Sequence, residues 1–129
     1  MALFKFTKLI TENKKIEIYN NGNMIRDFTY IDDVINSLVL LKNKYPKTNT
    51  KVYNLGCGEP VKLSKFIGFI EDSLDVRAKK KFLSMQPGDV KKTFAYSEDL
   101  FSLINYRPKT SISEGIKEFV NWYRYFYRK

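Results

Sequence analysis

The stretch from Arg26 to Val34, RDFTYIDDV, sets a cation, two aromatic rings and three acids at the head of an apolar helical run. A guanidinium at that point can meet a phosphate with fork-shaped donors. Its plainer use is a surface ion pair with Asp27 or Asp32. A second candidate is Met85 to Val90, MQPGDV. Gly88 permits a tight turn that leaves Gln86 and Asp89 on one side. An amide beside a carboxylate suits the hydroxyls of a ribose or another sugar; the alternative is a loop turn with no ligand. A third is Asn54 to Pro60, NLGCGEP, whose Gly-x-Gly has the outline of a dinucleotide turn. Val61 stands where the third glycine is needed, and no acid follows at the right spacing, so an ordinary turn is the preferred reading. Tyr125 and Lys129 stand four apart, a spacing that pairs a phenol with an ammonium on one helical face. Lys129 is the last residue, where chains fray, and the pair is set aside.

The elements that must position these groups follow from periodicity. Leu3, Phe6, Leu9 and Ile10 give a helix over Ala2–Glu12, with Phe4 off the stripe and facing a missing neighbour. Lys15–Tyr19 alternates and predicts a strand. Asn20–Asn23, NNGN, is a turn because Asn and Gly tolerate positive φ. Thr29 with Asp32 fits a capping pattern, and Asp32 and Asp33 suit the first turn of a helix that runs to about Lys44 through Val34, Ile35, Leu38, Val39 and Leu41. Lys51–Gly56 predicts a strand, Cys57–Pro60 a turn, and Leu63–Leu74 a helix with Phe66, Ile67 and Ile70 inward. Ala78–Leu83 predicts an edge strand guarded by lysines. Ser97 caps a short helix over Glu98–Ile104. Ser111 and Glu114 form a capping box for a last helix with Ile112, Ile116, Phe119, Val120, Tyr123 and Phe126 on one face. This alternation predicts an α/β chain with a small sheet and about five helices, too small for a complete doubly wound nucleotide fold.

Composition narrows the chemistry. A chain of 129 residues suits one domain, 1–129, with a real core. Its 10 Phe, 9 Tyr and 1 Trp offset a modest hydrophobic share of 43%. With one cysteine, Cys57, and no histidine, the sequence argues against an internal disulfide, a zinc site or a serine or cysteine catalytic dyad. No apolar run is long enough for a bilayer and no signal peptide is evident, so no membrane partner is expected and the cytoplasm is the default. The net charge of +9 is spread over scattered lysines, which reads as a solvated surface and admits an anionic ligand. The aromatics sit at core-facing helical spacings, which argues against a nucleic-acid stacking platform.

Three stretches, RDFTYIDDV (26–34), YNLGCGEPVKLSKFI (53–67) and MQPGDVKKTFAYSEDL (85–100), occur in an order and at separations that are specific together. With MALFKF at the start and SEGIKEFVNWYRYFY (113–127) near the end, the chain resembles the C-terminal part of nucleotide-sugar epimerases and dehydratases, the extended short-chain dehydrogenase family. The branch it is most similar to is that of UDP-glucuronate 4-epimerases. The resemblance implies that Arg26 contacts a diphosphate and Phe28 lines the nucleotide pocket. It implies Tyr19 near the uracil with Glu17 beside it, Val61 as an apolar contact, and Asp89 on the ribose hydroxyls. Gln86 takes a position that many relatives fill with a phosphate-binding arginine. The implied fold is a substrate-binding portion without the Rossmann half. The implied cofactor is NAD in the parent enzyme, none being bound by this chain alone. The implied partners are a UDP-sugar and the missing N-terminal dinucleotide-binding half. The family's Tyr-xxx-Lys pair and glycine-rich NAD turn precede these motifs and are not in the sequence, so no catalytic residue is assigned and the chain alone is expected to be inactive. An exposed apolar patch near the N-terminal helix or the Arg26 loop is expected, with self-association or partial disorder. The alternatives are a fragment of a related dehydratase or reductase, or a non-enzymatic basic binding module.

Overall fold

Three hydrophobic layers of helix organise the chain, a computed structural model that describes residues 2–44 and 50–128. Helix α1 (Ala2–Thr11) buries Phe6 and Ile10. Helix α3 (Leu63–Leu74) buries Phe66, Ile67, Ile70 and Leu74, and α5 (Ile112–Tyr127) buries Ile116, Val120 and Tyr123. Both α1 and α5 pack on α3. Their apolar residues recur at three- and four-residue intervals, which is why these three helices were legible from the sequence.

Strand β1 (Lys15–Tyr19) feeds Ile16 and Ile18 into the same core. Its order in the chain is followed by a tight turn over Asn20–Gly22, where Asn20, Asn21 and Gly22 all have positive φ, as the NNGN composition predicts. Strands β2 (Ile25–Asp27) and β3 (Pro60–Lys62) pair antiparallel, with Arg26 opposite Val61. Strand β4 (Lys79–Leu83) pairs parallel with β1, from Lys15 opposite Lys79 to Tyr19 opposite Leu83. The described residues thus hold two two-stranded sheets and five α-helices, counting α2 (Ile31–Lys44) and α4 (Glu98–Ile104). That is the small-sheet α/β architecture expected of the sequence. Among the described residues, no helix is long and apolar enough to cross a membrane.

Side chains with long reach lock the elements. Glu71, buried in α3, accepts from the Ala78 N–H at 2.7 Å and from the Lys80 ammonium at 2.8 and 2.9 Å. Burial raises its pKa, but the bonds from Lys80 and Ala78 and the charge of Arg77 outweigh this and hold it below the usual glutamate value. The Arg124 guanidinium donates to the Leu74 carbonyl at 2.9 Å, closing the C-terminal end of α3 from α5.

Several expectations need correction. Lys51–Gly56 is not a strand; its backbone joins no ladder, so the β-propensity of Val52 and Tyr53 had nothing to pair with, and Asn54 and Gly56 disfavour a strand. The Cys57–Pro60 turn ends earlier than expected, because Pro60 opens β3. Phe4 faces no gap: its ring meets Phe119, Tyr123 and Tyr127 edge-on at 6.3, 5.7 and 5.9 Å. Phe126 is 61% exposed and leaves the inward face of α5. The capping groups also differ. Ser111 and Glu114 do form the reciprocal capping box. Ser97 precedes α4 but gives its helix no side-chain bond, and α2 starts at Ile31, too late for Thr29 to cap it.

The largest surprise is α2. It turns a polar side inward, with Asp33 and Ser37 buried, and leaves Ile31, Ile35, Leu38 and Val39 49–59% exposed. Exposed apolar surface therefore lies on α2, around the end of α5, where Trp122 and Phe126 are also open, and at Phe82, Val90, Phe94 and Tyr96. It does not lie on α1, which is packed; Arg26 stands on strand β2, and exposed Val90 and Phe94 flank the segment that bridges to it.

Candidate functional site

Arg26 owes its position to β2. That strand is held on one side by β3 and on the other by a bridge to the segment after Asp89: the Ile25 N–H donates to the Lys91 carbonyl at 2.9 Å, and the Thr93 N–H donates to the Ile25 carbonyl at 3.1 Å. The side chain then folds back on this frame. Nη1 donates to the Ile25 carbonyl at 2.9 Å and reaches the Lys91 carbonyl at 3.5 Å. Nη2 donates to Asp89 Oδ1 at 2.9 Å. Neither Asp27 nor Asp32 is its ion partner, although the sequence offered both.

Asp89 is placed by its own turn. Gly88 has φ +80°, a conformation that favours glycine. The Asp89 N–H donates to the Gln86 carbonyl at 3.2 Å, and the Val90 N–H donates to Asp89 Oδ1 at 2.9 Å. The loop MQPGDV thus delivers a carboxylate across 63 residues of sequence to Arg26, with Val61 at the register position opposite the arginine. The pair is partly exposed, Arg26 by 26% and Asp89 by 35%. It can offer one ligand a cation and an anion side by side.

The other predicted residues fall around this pair differently. Gln86 is exposed at the start of the same turn. Glu17 pairs with Lys81 at 3.3 Å on the β1–β4 sheet, and Tyr19 ends β1 opposite Leu83, half-buried. Neither makes a polar contact with Arg26 or Asp89. Phe28 stacks flat on Phe66, centroids 4.2 Å apart and planes 2° apart. It also lines a cavity of about 340 Å³ with Leu3, Tyr30, Ile112 and Ile116, an apolar space between α1 and α5. That volume lies in the range of ligand pockets, but Arg26 and Asp89 are not on its lining.

The residue that sequence reasoning missed is Asp27. Its carboxylate accepts from the Gly58 N–H at 3.1 and 3.2 Å and from the Ala95 N–H at 3.1 Å. Two neighbours complete the pattern. The Cys57 N–H donates to Thr29 Oγ1 at 2.9 Å, and the Gly56 N–H donates to Ser97 Oγ at 3.0 Å. Three successive N–H groups of the Gly-x-Gly turn are therefore engaged by side chains. A dinucleotide needs such donors open toward its phosphates, so this turn does not fit NAD. The one signal that could have flagged Asp27 was an acid placed next to Arg26 yet not needed by the helix.

Behind the site, Asp33 of α2 accepts from the Tyr106 hydroxyl and, at 2.9 Å, from the Thr110 N–H. Burial pushes its pKa up, but these bonds outweigh it and hold the carboxyl below the usual aspartate value. The same bond, with burial, raises the Tyr106 phenol. Asp33 thus ties α2 to the 106–110 segment; the helix dipole is not its main partner.

Residues 1–56 match the profile of the NAD dependent epimerase/dehydratase family. The chain is 41% identical to protein CapI of Staphylococcus aureus, over all of this chain and 43% of that protein. It is 39% identical to a probable UDP-glucuronate 4-epimerase of Rhizobium meliloti, again over all of this chain and 43% of that protein. It superposes on the UDP-glucuronic acid 4-epimerase of Bacillus cereus, solved with UDP-glucuronic acid and NAD, with a TM-score of 0.90 and 31% identity, covering 98% of this chain and 40% of that one. The chain spans about two-fifths of the length of the relatives it matches. By sequence and by fold, this chain is homologous to the NAD-dependent epimerase/dehydratase family, UDP-glucuronate 4-epimerases included, over that two-fifths.

Proposed function

We propose that the chain is the UDP-sugar-binding portion of a nucleotide-sugar 4-epimerase acting on UDP-glucuronate or a close analogue. The observation that carries this reading is the meeting of Arg26 and Asp89 beside Val61. A guanidinium supplies charge-assisted bonds to a diphosphate, a carboxylate accepts from ribose hydroxyls, and an apolar side chain borders the base. Phe28 and Tyr19 serve as walls, and Gln86 gives a neutral hydrogen bond where a second arginine would give a charge. The positive net charge assists encounter with an anionic substrate. The neighbouring sequence similarity to UDP-glucuronate 4-epimerases supports the glucuronate assignment.

Hydride and proton transfer at the sugar are left to the dinucleotide-binding half of the parent protein, with NAD as its cofactor. The residues here bind and orient the nucleotide end. The chain alone therefore turns over no UDP-glucuronate when supplied with NAD.

Isothermal titration with UDP and with uridine tests the binding claim. UDP should bind more tightly than uridine, and Arg26→Ala should weaken UDP by about tenfold or more, the size of a charge-assisted contact. Equal affinity for UDP and uridine, or an Arg26→Ala variant that binds UDP as well as the parent, would overturn it.

A further inference from the structure

The Arg26–Asp89 pair does more than assemble two contacts. We propose that it is a selectivity lock: Asp89 competes with phosphate for Arg26, so that the site favours nucleoside diphosphates over polyphosphates that carry no diol. The inference rests on the reading of the site given above and deepens it.

The geometry points to competition. Arg26 has its Nη1 engaged by the Ile25 carbonyl and its Nη2 engaged by Asp89 Oδ1, each at 2.9 Å. Asp89 Oδ1 is held from a second side by the Val90 N–H at 2.9 Å, so the carboxylate does not swing aside without losing a backbone bond. An incoming phosphate must share the guanidinium with this carboxylate and sits within a few ångströms of a like charge, which is unfavourable. A bare pyrophosphate has nothing to return to Asp89. A nucleoside diphosphate brings hydroxyl donors to that same carboxylate and converts the rival into a partner. Discrimination then comes from a repulsive element as well as an attractive one.

The lock predicts opposite signs for two ligands on one substitution. Asp89→Asn should tighten inorganic pyrophosphate by about two- to fivefold, the range set by a partly exposed ion pair, and should weaken UDP. Asp89→Ala, which adds no amide donor of its own, should show the same signs, and Asp89→Glu, which keeps the charge, should leave pyrophosphate weak. In the double variant with Arg26→Gln, the pyrophosphate gain should vanish, because the gain acts through that guanidinium.

Titration calorimetry with UDP and with inorganic pyrophosphate on the parent chain and these variants decides the matter, with a thermal melt of each to confirm folding. If the parent binds UDP but Asp89→Asn and Asp89→Ala leave pyrophosphate unchanged or weaker, the lock is wrong while the nucleotide-sugar reading stands. If the gain survives Arg26→Gln, the lock is also wrong, since lysines nearby would then account for it. If the parent shows no binding of UDP, the functional reading fails and the lock falls with it.

Discussion

Asp27 and Gly56 show how tightly single residues fix the frame around Arg26. A Cβ added at Gly56 would lie 2.5 Å from the Ala95 Cβ and 3.1 Å from Asp27 Oδ2. The backbone, not a flexible tip, must give way, so Gly56→Ala should cost about 1–3 kcal/mol in urea denaturation; an unchanged midpoint would show that the packing there is loose. Asp33 and Glu71 make the acid limb of stability predictable. Both carboxyls titrate below their ordinary values in the fold. The folded state therefore binds fewer protons than the unfolded chain between the two pKa values. Their contribution is full above about pH 4, the unfolded range, and is lost as pH falls through the folded values. Asp33→Asn should flatten that acid decline in melts recorded from about pH 6 to pH 3, whatever its effect at neutral pH. At this scale the sequence named Arg26 and Asp89 from their types, but not their contact. A guanidinium with three acids within reach of its sequence neighbours has no local reason to choose one 63 residues away.

At the scale of elements, two serines before helices look alike in sequence and act differently. Ser111 receives the Glu114 N–H, and the Glu114 carboxylate receives the Ser111 N–H. Ser97 Oγ accepts from the Gly56 N–H and caps nothing. Ser111→Ala should therefore fray the start of α5 and cost about 1 kcal/mol. Ser97→Ala should leave the helix intact and strand a buried N–H, a cost of about 1–3 kcal/mol. Amide exchange separates the cases: protection should fall in the first turn of α5 for one variant and at Gly56 for the other. Periodicity revealed α1, α3, α5 and β1, because each sets a recurring apolar face on the core, while β4 forms by pairing with β1 and keeps most of its side chains exposed. It missed β2 and β3, since three residues are too few to show alternation, and it overread Lys51–Gly56, where propensity found no ladder.

For the whole molecule, the consequence of α2 is exposed apolar area. Ile31, Ile35, Leu38 and Val39 share its outward side while Asp33 and Ser37 face in. A face of this kind promotes association in solution. Leu38→Lys should lower the apparent size on gel filtration and the fluorescence of a hydrophobic dye, with little change in melting temperature, because the side chain is 54% exposed and supports no core contact of note. A parent chain that already runs as a monomer without dye binding would remove the ground for this expectation. The net charge of +9 acts at the same scale and in the opposite direction, through mutual repulsion.

By itself the sequence determined which segments could be helical, where the tight turns lie, and which few side chains carry charge suited to a phosphate and a diol. These follow from local physics: periodic burial, the φ preferences of Asn and Gly, and the donors and acceptors each side chain owns. Tertiary structure alone decided that α2 turns its polar side inward, that Asp27 fills the Gly-x-Gly turn, and that Arg26 reaches past its neighbours to Asp89. Those outcomes depend on hydrogen-bond partners distant in the chain, and a buried donor takes whichever acceptor the packing brings to it.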